Sequence, residues 1–159
     1  TAFGCPYEGE VDARAVVEVS QRLLALGVDE LAVSDTVGAA APADVRRVLQ
    51  ALRAAGIGPE AVALHLHDTR GTALANVMAA LDAGVTAFDA SAGGTGGSPY
   101  APGAAGNLAT EDLVYLLDRQ GLRHGADLDG VLAAARFAAT ALGRAEVGSK
   151  VGRAGGWPR

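Results

Sequence analysis

Short apolar runs alternate with helix-period segments along nearly the whole chain, and this repetition constrains the fold more than any other feature. Residues 30–34, 61–67 and 85–90 have strand length and apolar character, and residues 1–4 read as the end of a further strand. Between them, residues 12–26 place Val16, Val19, Leu23 and Leu26 on one helical face. Pro42 opens a second helix with Val45, Val48, Leu49 and Leu52 inward, and residues 72–83 form a third with Leu74, Val77, Met78 and Leu81 inward. Gly27, Gly56 and Gly84 follow these helices, where a left-handed residue ends a helix at little cost. Thr110 is placed to cap a fourth helix, with Glu111 and Asp112 in its first turn, and a last helix is expected over residues 127–142. A strand-then-helix unit repeated four times implies an α/β fold with a parallel sheet, and in a (β/α)₈ barrel four units make half. Residues 1–143 would form this partial barrel, and the Gly-rich residues 144–159 a mobile tail.

Each strand ends in polar or special residues: Cys5-Pro6-Tyr7-Glu8, Asp35-Thr36, His65-Leu66-His67-Asp68 and Asp89-Ala90-Ser91. In a β/α barrel those ends converge on the mouth that carries the active site. His65 and His67 are two residues apart in a strand, so they share a face and can close on one ion, while Leu64 and Leu66 point into packing. With oxygen donors at Asp35, Asp68, Asp89 and Asn107, the pair suits a divalent cation such as Mg²⁺, Mn²⁺, Co²⁺ or Zn²⁺. Asp68 fits equally a partner orienting a histidine or a helix cap.

Residues 91–108 form a long loop carrying Gly93, Gly94, Gly96 and Gly97, then Ser98-Pro99-Tyr100 and Asn107. The next helix starts too late for these glycines to cradle a pyrophosphate, so the loop reads as an active-site flap and not as a dinucleotide fingerprint. The formal net charge of −5 without a basic block argues against a nucleic-acid groove and favours small molecules. Apolar residues make up 50% of the chain, yet no run approaches a membrane span and no signal-peptide pattern opens it. Cys5 is the single cysteine, which excludes an internal disulfide and suits a reducing compartment, so a cytoplasmic location is expected. Lys150 reads as a solvated lysine, the alternative being a contact with a ligand phosphate.

Four segments together resemble a known family: Phe3-Gly4-Cys5-Pro6-Tyr7-Glu8-Gly9, Asp35-Thr36-Val37-Gly38, His65-Leu66-His67-Asp68-Thr69, and Gly96-Gly97-Ser98-Pro99-Tyr100-Ala101 through Gly106-Asn107-Leu108-Ala109-Thr110-Glu111-Asp112. In order and spacing they are similar to 3-hydroxy-3-methylglutaryl-CoA lyase, of the metal-dependent barrel lyases and aldol-type synthases. The resemblance corresponds to the C-terminal half of that family's TIM barrel. It implies His65, His67 and Asn107 as ligands of a divalent metal, Mg²⁺ or Mn²⁺, and an acyl-CoA substrate cleaved to acetyl-CoA and acetoacetate. The family's remaining metal-binding Asp and its catalytic Arg lie on the barrel's first strand, which this sequence does not contain, so the isolated chain is expected to be inactive. A related acyl-CoA or 2-oxo acid lyase, or a non-catalytic scaffold, is the other reading.

The family's catalytic cysteine falls where this sequence has Ser98, a far weaker acid than a thiol. Ser98 could position water or substrate, Tyr100 could supply a proton, or Cys5 could act from a neighbouring strand end. Asp35 joins them as a candidate catalytic residue, and Gly96 and Gly97 as candidates for cofactor contact. Half a barrel has open sheet edges, and a homo-oligomer that covers them is expected.

Overall fold

The structure is a computed structural model that describes residues 1–97, 106–146 and 148–155. The chain opens with β1 (Gly4–Cys5) and β2 (Gly9–Glu10), a short antiparallel ladder in which Cys5 pairs with Gly9. Helix α1 (Ala13–Ala25) follows, its N-cap Asp12 accepting the Arg14 N–H at 2.9 Å. The parallel sheet is built from β3 (Leu31–Asp35), β4 (Val62–Leu66) and β5 (Ala87–Asp89), in that spatial order. Helices α2 (Pro42–Ala54) and α3 (Ala73–Asp82) connect these strands. After them come α4 (Thr110–Arg119), α5 (Leu128–Ala141) and the short α6 (Lys150–Arg153).

The alternation of strand and helix is present, but four complete units are not. Among the described residues the parallel sheet has three strands and does not close into a barrel. Residues 1–4 do not extend it as a strand, because Gly4 and Cys5 turn back onto Gly9 and Glu10. Only the Ala2 N–H reaches the sheet, donating to Ser34 O at 2.9 Å.

Strand β4 is central, with Val62, Leu64 and Leu66 fully or almost fully buried, as expected of a strand covered on both faces. Val45, Val48 and Leu52 of α2 and Val77 and Ala80 of α3 belong to the same core cluster. The stripe read for α2 is therefore the packed one. The stripe read for α1 is not: Val19, Leu23 and Leu26 are exposed, and Val16, Val19 and Leu23 line a groove of about 370 Å³ against β3. On that side β3 accepts the Ala2 N–H, and among the described residues no further strand pairs with it to cover the helix face.

One further expectation changes. Ala109 occupies the N-cap of α4 and Thr110 is its first helical residue, because the chain is held there by backbone pairing: Thr110 N–H donates to Ser91 O at 3.0 Å. In the segment after α5, Ser149 is 1% exposed, while residues 153–155 are exposed. No helix among the described residues is long and apolar enough to cross a membrane.

Candidate metal centre

Strand register decides which side chains meet at the C-terminal edge of the sheet. Ser34 lies beside His65, and His65 beside Asp89, so three strands contribute one row of polar residues. His65 Nδ1 sits 2.5 Å from Asp89 Oδ1, an arrangement that fixes the ring and leaves Nε2 as its other nitrogen. The His65 and His67 ring centroids are 5.1 Å apart, as alternation along β4 and its extension requires. His67 in turn forms an antiparallel bridge with Asn107, and the flanking bonds Leu108 N–Leu66 O and Asp68 N–Gly106 O, both 2.9 Å, hold that bridge closed.

Among the described residues, His67 and Asn107 leave polar atoms without partners. His67 is 4% exposed and its Nδ1 has no hydrogen-bond partner; Asn107 Oδ1 is likewise buried and unpartnered, as is Thr69 Oγ1 close by in the chain. Buried polar atoms left in this state cost free energy, so a cluster of them at one mouth calls for a ligand. The Asn107 amide has a defined orientation, because its Nδ2 donates to Thr95 O at 2.8 Å, which leaves the carbonyl oxygen as the free end. Gly96 is part of that orientation: with φ +91 it brings its backbone so close that a Cβ would stand 2.7 Å from Asn107 Nδ2.

Electrostatics suit a cation. Burial, reinforced by the charge of His65, holds His67 below the ordinary histidine value against the opposing pull of Asp35 and Asp89. The ring is then neutral at physiological pH, the form that ligates metals. Burial pushes the Asp35 carboxyl up, opposed by hydrogen bonds from the Ala39 and Ala40 amides at 2.9 and 3.1 Å. Two imidazoles and an amide oxygen fit a divalent ion, although no three His, Cys, Asp or Glu side chains converge among the described residues.

The remaining sequence candidates divide by position. Asp35 is 1% exposed and caps its own loop, which is clamped from the other side by Arg70 Nη1 donating to Val37 O and Gly38 O at 3.0 and 2.8 Å. Asp68 takes the capping option left open by the sequence, Oδ1 accepting the Ala73 N–H at 3.1 Å at the start of α3. Cys5 is half-buried in β1 and no hydrogen bond joins it to His65, His67 or Asn107 among the described residues. Among the described residues, a Cβ added at Gly97 would meet nothing within 4 Å. Ser98 and Tyr100, and with them the tip of the expected flap, lie outside the described residues. Lys150 is not freely solvated: its Nζ pairs with Asp68 Oδ2 and lies 3.8 Å from Asp112 Oδ2. Sequence reasoning missed Glu111 and Ser149, both buried, whose partners are distant in the chain.

An open parallel sheet of strands and connecting helices, with polar residues at its strand ends, has the form of part of a β/α barrel. Residues 1–138 match the model of the HMGL-like family, and the chain belongs to that family. It is 49% identical over 144 residues to hydroxymethylglutaryl-CoA lyase YngG of Bacillus subtilis, a match covering 91% of this chain and 48% of that protein. The crystal structure of the Bacillus subtilis HMG-CoA lyase has a TM-score of 0.92 at 47% identity, covering 97% of this chain and 51% of that one. An Acinetobacter baumannii HMG-CoA lyase in complex with coenzyme A and 3-methylmalate has a TM-score of 0.90 at 40% identity, covering 98% and 50%. The chain thus spans about half the length of the curated relatives it matches and carries about half of their TIM-barrel-like fold.

Proposed function

We propose that this chain supplies the metal-holding part of a lyase that cleaves 3-hydroxy-3-methylglutaryl-CoA to acetyl-CoA and acetoacetate. The observation that carries the reading is the meeting of His67 and Asn107, each with a buried unpartnered atom, in a chain of the HMGL-like family. His65, His67 and Asn107 would hold a divalent ion, Mg²⁺ or Mn²⁺. When bound, such an ion acts as a Lewis acid and template toward the hydroxyl and carboxylate oxygens of the substrate.

The protein's own residues do the rest of the work in this reading. Asp89 orients His65, and Thr95 with Gly96 orients Asn107. Asp35 holds the loop at the end of β3 and places negative charge near His67. Cleavage requires a base to take the substrate hydroxyl proton and an acid to protonate the departing thioester enolate. We assign the acid to the group formed by Ser98, Tyr100 and Cys5, Ser98 standing where the family carries cysteine. Gly96 is committed to Asn107, which leaves Gly97 on the side of the acyl-CoA.

Calorimetric titration of Mn²⁺ into the chain tests the metal site directly. Saturable binding that disappears in both His67→Ala and Asn107→Ala supports it, whereas no binding by the whole unaltered protein, with the remaining half of the barrel present, refutes it. An assay of acetoacetate release by the whole protein, with Ser98→Cys, Tyr100→Phe and Cys5→Ala side by side, then identifies the acid.

A further inference from the structure

We propose that Ser149 and Lys150 are positioning residues for the His67–Asn107 donor pair, acting through two separate chains of polar contacts. Their effect on metal binding rests on the reading above; their geometry does not.

The first chain begins at Ser149 Oγ, which donates to Glu111 Oε1 at 2.5 Å and accepts the Gly152 N–H at 3.1 Å. Glu111 is 0% exposed and spends both carboxylate oxygens on the Gly93 N–H, at 3.1 and 3.0 Å. Gly148 lies against the other side of the same residue, so near that a Cβ would stand 2.5 Å from Gly93 O. Beyond Gly93 the turn passes to Thr95, whose carbonyl accepts the Asn107 Nδ2 hydrogen. The turn that orients Asn107 is therefore gripped from behind by residues 148 and 149.

The second chain runs through Lys150, whose Nζ pairs with Asp68 Oδ2. Asp68 follows His67 directly, and its N–H donates to Gly106 O, the carbonyl preceding Asn107. One lysine thus bears on both flanks of the donor pair. The segment is fastened by the buried Asp112, which accepts the Lys150 and Val151 amides at 3.1 and 2.8 Å.

A segment that merely completes a fold packs apolar side chains. This one offers Val151, half-buried, and an exposed Ala154 between residues 148 and 155. Its anchorage is polar and directed at the two stretches that present His67 and Asn107. Without the Ser149 hydroxyl the buried Glu111 carboxyl would keep the Gly93 N–H but lose a donor, so the Ser149 contact is costly to lose.

Amide hydrogen exchange on the full chain without metal tests the geometry, and Mn²⁺ titration of the same variants tests its consequence. In Ser149→Ala, local opening at residues 93–96 and 107–109 is expected to rise about tenfold or more, with β4 exchanging as before. Lys150→Met is expected to loosen residues 68 and 106, Lys150→Arg to restore them, and Mn²⁺ affinity to fall about tenfold in the two loosened variants. Unchanged exchange at these stretches overturns the proposal, and so does an equal acceleration throughout the protein, which would mark a general loss of stability. Absence of Mn²⁺ binding by the whole unaltered protein would overturn the metal reading alone, since exchange still decides the positioning role.

Discussion

His65 Nδ1 and Asp89 Oδ1 stand 2.5 Å apart because parallel pairing sets these two residues side by side on β4 and β5. A carboxylate on one imidazole nitrogen fixes the ring orientation and raises the basicity of the other nitrogen. Asp89→Asn keeps the shape and removes the charge, and is expected to weaken Mn²⁺ binding about 10- to 100-fold. Calorimetry on the variant would show unchanged affinity if His65 were held by packing alone.

Gly106 leaves no room at the site for a side chain. Its φ is +87, and a Cβ there would press on Gly96 O and stand 2.7 Å from Gly94 O. Gly106→Ala is expected to cost roughly 2 kcal/mol or more, from the left-handed conformation and the contact together. Urea unfolding measures the cost, and Mn²⁺ binding should be lost with it, since Asn107 is the next residue.

Asp35 tests the separation of architecture from chemistry. Removing the carboxylate in Asp35→Ala leaves the Ala39 and Ala40 amides without their acceptor, at an expected cost of about 2–4 kcal/mol in urea unfolding. A variant of unaltered stability that had nonetheless lost turnover in the whole protein would show Asp35 acting on substrate and not on its loop.

Acid sensitivity has a defined contributor in Asp44. The Ala41 N–H, and after it the Arg47 guanidinium, hold its carboxyl below the ordinary aspartate value despite partial burial. A folded value below the unfolded one contributes stability that is present above the unfolded value and is lost as pH falls through the folded one. Asp44→Asn should therefore flatten the fall in urea midpoint between about pH 5 and pH 3, with little difference in slope near neutrality.

Residues that act through local pattern were legible. The α2 stripe of Val45, Val48, Leu49 and Leu52 is buried, Pro42 opens that helix, and His65 and His67 flank a buried Leu66. Each follows from helix period, strand alternation or proline geometry, which depend on neighbours in the chain. The α1 stripe failed because its pattern shows only that a face is apolar, and that face meets a sheet side with no further strand among the described residues.

Long-range pairing was not legible, and it made the remaining decisions. Thr110 lost its expected capping role because Ser91 pairs with Ala109, a contact between strand end and helix start that no local preference encodes. Lys150 looked solvated and is paired with Asp68, 82 positions earlier. Ser149 and Glu111 are ordinary polar residues in the chain, and become a buried pair only when α4 and the C-terminal segment meet.

By itself the sequence determined the alternating α/β architecture, the two-histidine face and the family to which its motifs belong, because periodicity and motif spacing are properties of the chain. Tertiary structure alone decided that His67 and Asn107 share a bridge, that Asp89 orients His65 and that Glu111 receives Ser149. Those contacts join residues tens of positions apart, and their partners are chosen by strand register and packing, which no local segment specifies.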